Sequence, residues 1–158
     1  MPTAPRPSSP ANPAIPRQTG VSATPIAFVQ AIVLAYHRYG KDPAAVLKKA
    51  QIAPNLLHDP QGRITALQME LISDAAMQEL DDEALGWFSR RLPWGSYGML
   101  ARASISAPTL ALAVQRWCRH HGLIADDITL TLQVGGATAS IQITEHRALS
   151  ERGTLREF

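Results

Sequence analysis

The residues of this chain able to do chemistry are few. Cys118, His120 and His121 lie together in WCRHHGL. Adjacent histidines on a helix point about 100° apart, so His120 and His121 do not share one ion, and metal ligands on a helix want a spacing of three or four. Cys118 and His121 have that spacing, but no second ligand pair lies nearby in sequence, while His37, His58 and His146 are isolated. The group reads as a helix C-terminus in which His and Arg offset the dipole, and no metal is expected. A nucleophilic Cys118 would need a depressed pKa and an oriented base. Neither is in view, and a buried structural thiol is expected. Asp81-Asp82-Glu83 reads as helix capping at the start of DEALGWFSRRL, and Asp126-Asp127 as turn chemistry at a helix-to-strand junction. No acid, base and nucleophile converge, so no catalytic residue and no cofactor is expected.

Binding is a different matter. Trp94-Gly95-Ser96-Tyr97-Gly98 is not a phosphate loop, because it lacks the preceding strand and the Lys-Ser/Thr pair. Two aromatics beside glycine-exposed backbone can line a small-molecule pocket. With Met99 and, on the helix that follows, Trp117 and His121, they form the candidate ligand-binding set: Trp94, Tyr97, Met99, Trp117 and His121. The competing reading is an aromatic core that glycines allow to pack closely. Arg90, Arg91, Arg116 and Arg119 are separated, and no recognition helix accompanies them, so direct DNA contact is not expected.

Composition narrows the class. The chain has 158 residues, 46% hydrophobic and 18% charged, enough for one domain with a real core. A net charge of +2 is too mild to define a nucleic-acid surface. One cysteine excludes an internal disulfide and suits a reducing compartment. No apolar run reaches the ~18 residues of a membrane helix, and the N-terminus lacks a secretory pattern, so a cytoplasmic location is expected.

Residues 1–23 carry Pro2, Pro5, Pro7, Pro10, Pro13 and Pro16 among Ala, Ser and Thr and read as a disordered leader. Thr24-Pro25 signals a helix over IAFVQAIVLAYHRY with Phe28, Ile32, Ala35 and Tyr39 inward, ending at Gly40. Asp42-Pro43 starts a short helix to Ala50. A turn from Pro54 ends in Asp59-Pro60-Gln61-Gly62. Thr65 to Gln68 forms a capping box before LQMELISDAAMQEL, whose Met69, Ile72, Ala76 and Leu80 face inward. A helix is expected over DEALGWFSRRL, then a short apolar helix after Gly98. The next helix is expected to be capped by Ser106, to have Pro108 in its first turn and to end at a left-handed Gly122. After Leu123 the period becomes two: Ile128, Leu130, Leu132 and Val134, then Ala137, Ala139, Ile141 and Ile143, around a Gly135-Gly136 turn. The fold class is α+β, a cluster of short helices followed by an antiparallel β-hairpin packed on them.

Two composite patterns point to a family. One runs through Gly95, Gly98, Ser106, Thr109-Leu110, Ala113-Val114 and Arg116-Trp117, with Trp117 where Tyr is more usual. The other runs from Gly40 to Ile64 through Leu47, Ala50, Ile52, Leu56, Leu57, Asp59, Pro60 and Arg63. Together they resemble the N-terminal regulatory, arabinose-binding-like domain of bacterial AraC/XylS transcription regulators. The resemblance covers residues 24–158. It implies an effector-sensing, homodimerising domain whose partners are a small-molecule effector and DNA, the latter only through a C-terminal helix-turn-helix domain not found here. In the family a longer helix and further strands follow, so the domain is expected to be cut short at its C-terminal end. A stand-alone dimerisation module is the alternative.

Overall fold

The computed structural model describes residues 21–147. Among them are five α-helices and two antiparallel strand pairs, an α+β fold. Of the leader expected over residues 1–23, residues 1–20 lie outside the described residues, as do the turn and helix start expected after Arg147, whereas the leader's last two residues belong to a strand.

The first half is built on a small strand pair that periodicity did not announce. β1 (Ser22–Pro25) pairs with β2 (Arg63–Thr65), with an irregularity between Ser22 and Thr24. Thr24-Pro25 is therefore strand rather than helix cap, and Ile26 donates its N–H to the Gly62 carbonyl at 2.9 Å. α1 (Ala27–Arg38) buries Val29, Ala31, Ile32, Ala35 and Tyr36. The inward arc is rotated from the expected one: Phe28 is 43% exposed and Tyr39 only half-buried. The reason is tertiary, because Tyr36 is drawn inward where its hydroxyl donates to Glu79 at 2.8 Å. α2 (Ala44–Lys49) and a 3-10 turn over Pro54–His58 follow. α3 (Ala66–Leu80) begins with the expected capping box, Gln68 N–H donating to Thr65 Oγ1 at 3.1 Å and Thr65 N–H to Gln68 Oε1 at 3.0 Å. Ile72, Ala76 and Leu80 are buried and Met69 packs at the margin of the same core.

Residues 82–92 do not form the expected helix. Leu85 and Gly86 both take left-handed φ values (49° and 78°), which no α-helix accommodates. The chain instead wraps around the Asp82 carboxylate. Leu85 packs on the first core, whereas Phe88 and Leu92 enter a second core with Ala84, Ala125 and Ile128.

α4 (Ser96–Ile105) and α5 (Leu110–Ile124) form the second half with the hairpin. The cap of α5 is Thr109, whose Oγ1 accepts from Leu112 N–H at 3.3 Å, not Ser106. Gly122 lies inside the helix, which ends at an extended Ala125. β3 (Ile128–Gly135) and β4 (Thr138–Glu145) pair in register, with Leu130 opposite Ile143 and Leu132 opposite Ile141. Gly135 pairs with Thr138, so the tight turn is Gly136-Ala137, one residue later than expected. The hairpin covers the helices only through the start of β3. Ile128 is buried, but Val134, Ile141 and Ile143 are 67%, 52% and 62% exposed.

Candidate functional site

The candidate residues are set by the segment that leads into α4. Gly95, at φ 95°, turns the chain so that α4 starts against the 81–83 acids. Glu83 accepts from the backbone N–H groups of Gly95 (2.9 Å) and Tyr97 (2.7 Å), and a carboxylate there also complements the helix dipole. Asp81 accepts from Trp94 N–H at 2.9 Å. The acids expected to cap a helix of their own thus cap α4 and fasten its lead-in.

Three of the five candidates come together. The Tyr97 ring lies parallel to Trp117 at 5.9 Å between centroids and near-parallel to His121 at 6.1 Å. Phe88 meets His121 edge-on at 5.8 Å. The spacing of Trp117 and His121 on α5 puts both on the face turned to α4. Trp94 and Met99 stand apart, each about half exposed, with 48% and 50% of their surface open.

The chemistry of the cluster is that of a polarisable surface with a few polar points. His121 is buried, only 3% exposed, and burial lowers its pKa, so it stands as neutral imidazole. Its Nδ1 is buried with no hydrogen-bond partner among the described residues. Tyr97 has its pKa raised, first by burial and then by Glu83 and Asp82, and stays a phenol. Cys118 is buried on the same helix. Among the described residues no group of three or more His, Cys, Asp or Glu is placed to hold a metal ion.

The carboxylates that matter most were missed as such. Asp82 is fully buried and accepts from the Tyr39 hydroxyl (2.6 Å) and from the N–H groups of Gly86 (2.7 Å), Leu92 (2.9 Å) and Ala84 (3.0 Å). Asp127, also fully buried, takes the Ser89 N–H at 3.0 Å and the Ser89 hydroxyl at 3.0 Å, which goes beyond the local turn role expected of it. Arg90 donates to the Ile124 and Leu123 carbonyls (2.7 and 3.1 Å) and so caps the C-terminus of α5. These bonds fasten residues 81–92 between the two cores. Apart from Ala84 and Gly86, which lie close to Asp82 in sequence, their partners are 10 to 43 residues away, so periodicity carries no trace of most of them.

Residues 40–158 match the family of the arabinose-binding domain of AraC transcription regulators, N-terminal part. The chain belongs to that family. It is also similar to the ornithine utilization regulator of Pseudomonas aeruginosa, 25% identical over 126 residues, which are 79% of this chain and 37% of that protein. The chain thus spans little more than a third of that relative. No helix among the described residues is long and apolar enough to cross a membrane.

Proposed function

We propose that this chain is the effector-sensing and dimerising region of an AraC-type transcription regulator, acting on transcription through a separate DNA-binding domain. The family match over residues 40–158 carries the reading. The effector is a small molecule held at the wall formed by Tyr97, Trp117 and His121; Trp94 and Met99, the other two candidates, stand apart from it. In support, Tyr97, Trp117 and His121 cluster, and the buried His121 Nδ1 supplies a polar point that a ligand group can satisfy. The mechanism is linkage: a ligand that binds one arrangement of the α4–α5 pair better than another shifts the population of that arrangement, and an attached domain follows. The chemistry is recognition without turnover, in a cytoplasmic bacterial protein.

A thermal-shift screen against amino acids (ornithine included), sugars, aromatic acids and fatty acids tests this. A ligand at about a hundred times its Kd stabilises the fold by ~2.7 kcal/mol, a shift of several degrees. Tyr97→Ala and Trp117→Ala should abolish the shift. A ligand whose effect survives both variants refutes the assigned wall.

The exposed apolar side chains of Val134, Ile141 and Ile143, on strands without Lys, Arg, Asp or Glu before Glu145, favour a second reading as a dimerisation module. Sedimentation equilibrium separates the two. A tight dimer that no effector class alters supports the module, and a ligand-dependent association supports the sensor.

A further inference from the structure

A groove of about 290 Å³ lies between α1 and the turn over residues 85–87, away from the aromatic cluster. It is lined by Ala31, Leu34, Ala35, His37, Leu85 and Trp87. Gly86 shapes it: at φ 78°, a Cβ there would stand 3.4 Å from the Ala35 Cβ, so glycine lets the turn backbone settle against the helix. Arg38 lines it too. Its Nη1 donates to the Gly86 carbonyl, which tethers the guanidinium to the turn. The other N–H groups of that fork make no hydrogen bond among the described residues, and no acidic side chain lines the groove. The nearby Asp82 carboxylate is directed elsewhere, to Tyr39, Ala84, Gly86 and Leu92.

A largely apolar trough with a tethered cation and no acidic side chain in its lining fits one ligand chemistry. We propose that this groove binds small monocarboxylates with an apolar body, the carboxylate on Arg38 and the hydrocarbon between Leu34, Leu85 and Trp87. A planar fork partly held in place loses little entropy on gripping a carboxylate. The volume sits at the lower end of ligand pockets, which sets the size at a small metabolite. The inference does not rest on the regulatory reading, because only the α1–turn geometry carries it. Occupancy tightens the contact between α1 and the segment that leads on to Phe88 in the second core.

The test is titration of the full chain with phenylacetate and with hexanoate, each against its neutral amide, followed by calorimetry and by amide NMR shifts. The carboxylates bind about tenfold more tightly than the amides or better, and the shifts centre on Leu34, Arg38 and residues 85–87. Arg38→Gln brings the acids down to the level of the amides. Leu34→Trp, at a side chain 48% exposed, fills the trough and removes binding of both without lowering the thermal midpoint. The proposal is overturned by equal affinity for acid and amide, by undiminished binding to Arg38→Gln, or by no binding at millimolar ligand. Shifts centred on Tyr97, Trp117 and His121 overturn it too, and would support the aromatic wall instead. None of these failures touches the family assignment.

Discussion

Asp82→Asn is the most informative single change, because it keeps the shape of a fully buried side chain and alters only what it can accept. One carboxylate oxygen serves Ala84 N–H and Leu92 N–H, the other Gly86 N–H and the Tyr39 hydroxyl. An amide has one acceptor oxygen, and its NH2 faces whatever the second oxygen served. The better orientation keeps the Ala84 and Leu92 bonds and turns the NH2 toward Gly86 and Tyr39. The phenol can rotate to accept, but the Gly86 N–H cannot. One charge-assisted bond is lost outright and a buried donor is left unmade, about 2–4 kcal/mol in all. Against a total stability of ~5–15 kcal/mol that is a large fraction. Urea unfolding followed by tryptophan fluorescence measures it, with Asp81→Asn as control. Exposed Asp81 accepts one bond from Trp94 N–H, which Asn can keep, so its cost stays within about 0.5 kcal/mol. A loss below about 1 kcal/mol for Asp82→Asn, or equality with the control, refutes the role assigned to this carboxylate.

Other outcomes follow from the same geometry. Burial lowers the His121 pKa below its ordinary 6.5, so the unfolded chain takes up that proton at higher pH than the folded one. The stability this provides is present above 6.5 and falls as pH drops through that value; His121→Met should flatten the fall in urea midpoint, and an unchanged slope would contradict the burial argument. Thr65→Ala removes half of the capping box and should cost about 1 kcal/mol, read by the same titration, whereas no loss would mean that Gln68 alone holds the start of α3. Ile141→Lys with Ile143→Lys should leave stability within about 0.5 kcal/mol while lowering binding of a hydrophobic dye, since both side chains are exposed. Strong destabilisation would show that these side chains are covered in solution.

Much of the fold was legible locally. The Thr65–Gln68 capping box, α3 with Ile72, Ala76 and Leu80 inward, and the alternation from Ile128 to Ile143 each rest on neighbours within a few residues, where periodicity and capping chemistry speak directly. The errors share a cause. Apolar character cannot choose between adjacent arcs of a helix, so Phe28 lies outward although its spacing places it inward, and the choice falls to the Tyr36–Glu79 contact across the core. Residues 82–92 had helical periodicity, but a buried carboxylate offered their N–H groups an acceptor that a helix would have used differently. Thr109 won the cap from Ser106 over the same short stretch that contains Pro108.

The α+β class, the family, α3 and the hairpin were therefore legible in the chain itself, since pattern and composition act over short spans. Which aromatics meet was decided only by the folded structure. Tyr97 reaches Trp117 and His121, and Trp94 and Met99 do not, because Glu83 fixes where α4 begins. The same holds for the groove beside Arg38, whose walls come from residues about fifty positions apart. Long-range hydrogen bonds from buried carboxylates select one arrangement among several that local preference would allow, and no window of neighbouring residues contains both partners.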